Sequence, residues 1–260
     1  MIVKHLTRRQ ILGPIGIAAG SCVLSSCLSE SASSPLDKKP GFPWPYDKLD
    51  PQITAERAYN DHRKGHCMYG AFVSVISQLA ERYGEPYSSF PVGMMRYGAG
   101  GAAGSGSLCG ALNGSAALIG LFVKKEEDMK LLIDELFLWY EQTELPTYIP
   151  ERPALDAKIP TSVSNSILCH ISVTKWCKMS GNKTFSKQQK ERCARLSADT
   201  AAKTVELLNA HFAGEFSAAH EFDDEVKTCR SCHTKGSDRS DSRGKMHCRI
   251  CHSSLAVDHP

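Results

Sequence analysis

The end of this chain sets the terms for the rest of it: Cys229-Arg230-Ser231-Cys232-His233 is followed by Cys248-Arg249-Ile250-Cys251-His252. Each is a C-x-x-C-H run, in which two thiols can add to the vinyl groups of a porphyrin while the adjacent His is carried under the iron as its proximal ligand. Apart from Val226, Met246, Ile250, Leu255 and Val257 the segment holds few large apolar residues. A big apolar cofactor is therefore what can give it a core.

Zinc is the serious competitor, because Cys229, Cys232, Cys248 and Cys251 also have the spacing of a ribbon that holds one tetrahedral ion. A His after both pairs, an export signal at the front and the scarcity of strand-forming residues favour haem. Charge agrees. From Val226 to Pro260, Lys227, Arg230, Lys235, Arg239, Arg243, Lys245 and Arg249 oppose only Asp238, Asp241 and Asp258, an excess suited to the propionates of two haems.

At the other end, Thr7-Arg8-Arg9-Gln10-Ile11-Leu12 leads a mildly apolar run to Leu24. This has the look of a twin-arginine export signal and is too short and weak for a membrane span. Leu24-Ser25-Ser26-Cys27 also has the form of a lipobox, which would acylate Cys27 as a lipid anchor. The expected layout is a signal peptide over 1–27, a Pro/Ser-rich spacer over 28–50, a helical domain over 51–222 and a dihaem-binding segment over 223–260, in the periplasm or cell envelope. The formal charge of +3 includes Lys4, Arg8 and Arg9 of the signal, so the remaining chain is near neutral and nucleic acid is not an expected partner.

The body reads as a mainly α fold, a helical bundle domain followed by a small irregular haem-binding segment. Helical periodicity covers Ile53 to about Lys64, Cys67 to Tyr83 with Gly84 as a stop, Leu108 to Val123, Asp128 to Tyr140, Asn165 to Met179 and Ser186 to Leu208. Pro43-Trp44-Pro45-Tyr46 is expected to lie extended against the domain. The stretch from Met94 to Ser107 contains a G-x-G-x-x-A string but lacks the preceding strand of a dinucleotide site. It reads better as a glycine-rich approach to Cys109, backbone brought close to a cluster with N–H groups free to bond to sulfur.

Eleven cysteines are present; setting aside Cys22, Cys27 and the four of the haem motifs leaves Cys67, Cys109, Cys169, Cys177 and Cys193. Cys67, Cys109, Cys169 and Cys177 lie on separate helical stretches or two turns apart, and four thiolates are what a [2Fe-2S] cluster takes in its commonest form. Buried thiols or a disulfide are the alternatives, and Cys193, on the long helix, reads as a core thiol. For the distal side of the haem irons, opposite His233 and His252, the abundance of His favours bis-His ligation. His211, His220 and His247 are the candidates, with His211 and His220 preferred. His62 and His66, at i,i+4, could equally form an adventitious metal pair.

Cys67 in Cys67-Met68-Tyr69-Gly70-Ala71-Phe72, Cys109 in Cys109-Gly110-Ala111-Leu112-Asn113-Gly114, and the later Cys169 and Cys177 resemble the C_GCAxxG_C_C redox-active family. With the lead-in from Pro45-Tyr46 to Leu49-Asp50-Pro51 and the paired haem motifs, the whole is similar to the split-Soret cytochromes c. The resemblance implies a helical domain with an iron-sulfur site and a homodimer with haems stacked face to face. It also implies that a distal His can come from the other subunit. The expected activity is electron transfer through two covalently bound haem c groups and an iron-sulfur cluster, as a carrier for an unidentified redox partner protein. The rivals are a multihaem oxidoreductase with one open haem site and a zinc-ribbon interaction module.

Overall fold

The structure, a computed structural model, describes residues 41–252, which fall within one compact unit. The export signal, Cys22, Cys27, most of the spacer, and Leu255, Val257 and His259 lie outside the described residues. Helix α1 (Pro51–Tyr83) is capped by Asp50, whose carboxylate accepts from the N–H groups of Gln52 and Ile53, and it stops at Gly84 with φ 68°. The two helices expected on either side of Lys64 are one element interrupted at Gly65 and His66 (φ 67°, ψ −164°). That break turns the backbone at His66 off the helical path, yet the His62 and His66 rings still meet as the i,i+4 spacing suggests, edge to face with centroids 6.0 Å apart.

Helices α2 (Gly110–Phe122), α3 (Glu126–Gln142), α4 (Cys169–Ser180) and α5 (Lys187–Ala213) follow, each within a few residues of its predicted range. A short antiparallel pair, β1 (Glu144–Leu145) with β2 (Ser162–Val163), closes the connection between α3 and α4. The core lies where α1 meets α5 and α2. Met68, Phe72, Ile76 and Leu79 of α1 pack there with Leu112, Leu118 and Phe122 of α2 and Leu196, Val205 and Leu208 of α5, all buried. Side chains of this size each contribute about 1.5–3 kcal/mol on burial, and their helical spacing is what made these elements readable. Pro43–Tyr46 lies on this body: the Trp44 N–H donates to the Leu121 carbonyl and the Tyr46 hydroxyl to Asn209.

One helix was not anticipated. The segment read as irregular contains α6 (Asp224–His233), whose N-cap Asp223 accepts from the Val226 N–H at 2.7 Å. Asp224 and Glu225 in its first turn and Arg230 and His233 in its last suit the helix dipole. That charge order was the available signal. Among the described residues no helix is long and apolar enough to cross a membrane.

Candidate redox sites

The first site is assembled at helix beginnings. Cys109 is the N-cap of α2 and Cys169 the first residue of α4. The two segments leading into them are laced together: Cys109 N–H donates to the Ile167 carbonyl (2.8 Å), Cys169 N–H to Ser107 (2.8 Å) and His170 N–H to Gly106 (3.0 Å). Gly106 makes this approach possible, because it sits at φ 74° and a Cβ on it would lie 2.9 Å from the His170 Cβ. Gly110 likewise lets α2 close on α1, since a Cβ there would collide with the Gly98 carbonyl and press on Cys67. The glycine-rich stretch thus does bring backbone close to Cys109.

Cys67 follows the break in α1, and its partner is Cys193 on α5, the residue the helical periodicity assigned to the core. Cys67 donates its S–H to Cys193. That bond, with Arg192 and Gln189 (Nε2 to Sγ 3.0 Å), holds Cys193 well below the usual thiol range. The same bond, together with burial, pushes Cys67 up. Burial also raises Cys109, and it pushes Cys169 up to about 12. Cys67, Cys109, Cys169 and Cys193 all lie within electrostatic reach of one another. Cys177 stands apart, half-buried, and among the cysteines only Cys193 influences it. His62 is buried next to Cys67, Nε2 to Sγ 3.6 Å, and burial lowers it to about 4.

Arg192 completes this site. It is fully buried and donates to Ser172 (2.8 Å), while its Nε has no hydrogen-bond partner. A buried guanidinium with an unsatisfied donor, 3.9 Å from the Cys193 sulfur and within electrostatic reach of Cys109 and Cys169, is costly alone and suited to an anionic, thiolate-ligated group. The sulfurs do not collapse onto a point: among the described residues no three His, Cys, Asp or Glu converge on a single metal-ion position. An iron-sulfur cluster, bridged by its own sulfides, spans a wider donor set than one ion does. The residues fit such a group.

The second site is the tail. Cys229, Cys232 and His233 lie on α6, and Cys248 to Ile250 form a single 3-10 turn before Cys251 and His252. Cys248 is raised by burial and by Cys229 beside it, so the first cysteines of the two motifs are neighbours. Cys232, Cys251 and His252 are exposed, and Val226 is the one buried residue after Phe222 among those described. This is the coreless segment the composition predicts, and it fits a cofactor that supplies apolar surface. His233 Nδ1 lies 2.6 Å from Asp241, which places the proton on Nδ1 and the lone pair on Nε2, as haem ligation requires.

Acidic groups outside the basic window engage part of its charge: Lys227 pairs with Glu221 (2.9 Å), Lys245 with Asp134, and Arg249 with Glu225. Among the distal candidates, His211 is at the end of α5 with its ring against Phe212. His247 turns Nε2 to Asp223 (3.4 Å) and Glu225 (3.0 Å). His220 is bound by Glu135, whose carboxyl burial would raise but which the His220 ring and the Ala219 and His220 N–H groups hold below its usual range. A small cavity between α3 and the tail is lined by Leu138, Glu141, Phe222, Val226 and His247. Burial there pushes the Glu141 carboxyl up to about 7.

Residues 70–207 match the family described as "Putative redox-active protein (C_GCAxxG_C_C)". The chain is 38% identical over 279 residues to the split-Soret cytochrome c of Desulfovibrio desulfuricans, covering 98% of this chain and all of that one. It also superposes on a solved structure of the split-Soret cytochrome c from Desulfovibrio desulfuricans ATCC 27774, reported for its novel iron centre. That match has a TM-score of 0.77 and 39% identity and covers 84% of this chain and 95% of the other.

Proposed function

From the premise that this chain belongs to the split-Soret cytochromes c, within the C_GCAxxG_C_C redox-active family, we propose that it is an exported dihaem electron relay carrying an iron-sulfur cluster. Family membership makes it an electron-transfer cytochrome and sets the zinc-ribbon reading aside. The finer assignment is that Cys229 and Cys232 hold one haem c and Cys248 and Cys251 the other, with His233 and His252 proximal. Cys67, Cys109 and Cys169 hold the cluster, and Cys193 serves as fourth thiolate in the place first expected for Cys177. When bound, the haems and the cluster would supply one-electron redox levels.

The chain's own part is to hold these groups and keep solvent from one of them. Cys67, Cys109 and Cys193 are buried and Cys169 is partly covered, so the cluster site has a low-dielectric wall. Arg192 supplies the charge that offsets the thiolates. At the tail, Asp241 holds the Nδ1 proton of His233 and so orients the ring. With a His available for each face of both irons no position would remain for substrate, and relay rather than turnover would be the activity. Export, a homodimer and a lipid anchor at Cys27 belong to the same reading.

The observation that carries it is one compact unit holding both a four-sulfur site beside a buried guanidinium and two C-x-x-C-H runs on a coreless tail. A pyridine haemochrome assay should count two haems per chain that acid-acetone does not extract, with total iron exceeding haem iron. A colourless zinc protein would overturn the proposal, and stoichiometric binding of carbon monoxide to the reduced protein would replace relay with an open-site oxidoreductase.

A further inference from the structure

His220 lies in the stretch between α5 and α6. The side chain that holds it is Glu135 of α3, which is only 2% exposed. Glu135 commits both oxygens here: Oε2 accepts from the N–H groups of Ala219 and His220 at 3.0 Å each, and Oε1 faces His220 Nδ1 at 2.7 Å. Two backbone donors would have been enough to pin a loop. The third bond fixes the ring. A ring nitrogen facing a carboxylate carries the proton, which leaves the lone pair on Nε2. Metal-ligating His are prepared in this way, with a carboxylate on one nitrogen that sets tautomer and orientation and raises the basicity of the other.

The surroundings fit a haem side. Gln142 of α3 donates to the Glu221 carbonyl next to His220 (2.7 Å), and Asp134, beside Glu135, pairs with Lys245 between the two haem motifs. The other candidates are not left with Nε2 in this way: His247 turns its Nε2 to Asp223 and Glu225 and keeps only Nδ1, which is buried without a hydrogen-bond partner, and His211 has a ring contact with Phe212 in place of a carboxylate.

We propose that Glu135 is a positioning residue that fixes His220 as an axial ligand of a haem iron through Nε2, and that its buried negative charge lowers the potential of that haem. The inference rests on the dihaem reading and adds to it the identity of one distal ligand and the residue that aims it. Nothing in it requires the haem to belong to the same subunit.

The test uses the full-length, haem-loaded protein. In His220→Ala the haemochrome count should stay at two while one haem per chain becomes high-spin and binds carbon monoxide, and added imidazole should restore the low-spin spectrum. Glu135→Gln keeps the shape and one acceptor oxygen, at the cost of a donor where the second oxygen stood, and removes the charge. Both haems should stay low-spin, and one of the two midpoint potentials should rise while the other stays put. Two low-spin, carbon-monoxide-inert haems in His220→Ala would overturn the assignment, as would unchanged potentials, or potentials shifted equally, in Glu135→Gln. If His220→Ala cannot be isolated, the Glu135→Gln potentials decide. A parent protein without covalent haem fails the dihaem reading instead, and that result is visible before either variant is made.

Discussion

Cys193 and Cys177 differ by what touches the sulfur. Cys193 receives Gln189 and Cys67 and has Arg192 within 3.9 Å, whereas Cys177 lies half-buried at the edge of these charges. Cys193→Ser should therefore strip most of the non-haem iron while leaving haem in place, and Cys177→Ser should leave the iron largely intact. Colorimetric iron against haem content measures both. The helical pattern reads Cys193 as packing, a small thiol on the inner face of an amphipathic helix, and its burial in the core agrees; the pattern says nothing of the proposed ligand role. The clue was its company, since Glu191, Arg192 and Arg195 are charged and buried on the same helix, which a purely apolar core does not require. Glu141 yields a second expectation. Burial lifts its folded pKa from 4.5 to about 7, so its contribution to stability is full below the unfolded value and lost as pH rises through the folded one. Glu141→Gln should match the parent near pH 4 and exceed it at pH 8, by on the order of 2–3 kcal/mol, as read from denaturant midpoints at the two pH values.

Among the elements, the helices were legible because each carries an apolar face at helical spacing, and α1 was legible even in its interruption. The joints between them were not. Gly106 shows why: its φ of 74° and its closeness to His170 reflect two loops meeting, and spacing along the chain says nothing of what a loop meets. Gly106→Ala should cost about 1–3 kcal/mol for the strained backbone and more for the clash. It should also spread Cys109 from Cys169, lowering non-haem iron with haem retained. Thermal unfolding and iron analysis together separate this from a uniform loss of fold. Helix α6 escaped notice for the opposite reason, since its only large apolar residues are too few to set a period and its signal was the order of its charges.

For the whole molecule, two kinds of support divide the chain. The helical body has an apolar core of its own, while the tail contributes Val226 and otherwise holds on through Gln142, Asp134, Glu135 and ion pairs. Exposed ion pairs are worth about 0–1 kcal/mol each, so the tail depends on what it binds. This bears on the proposed export, because a twin-arginine route would carry folded protein whereas the proposed haem attachment would need open C-x-x-C-H motifs. A body that folds around its cluster first, with the tail folding on haem afterwards, satisfies both. A chain ending after Phe222 keeps His220 for Glu135. It should be helical by circular dichroism, retain non-haem iron and unfold cooperatively without haem; an unfolded product would refute the order of assembly.

Covalent spacing decided what the chain alone could tell. C-x-x-C-H is a local arrangement whose chemistry needs only neighbouring residues, and the 3.6-residue period of apolar side chains is equally local. Both could be read directly. Which thiols share a site, which His is aimed and which arginine is buried among the sulfurs depend on residues far apart in sequence: Cys67 with Cys193, Glu135 with His220, Arg192 with Ser172. Those pairings exist only once α1, α3 and α5 have packed, because the cost of burying a charge or orienting a ring is met by a partner that the packing delivers.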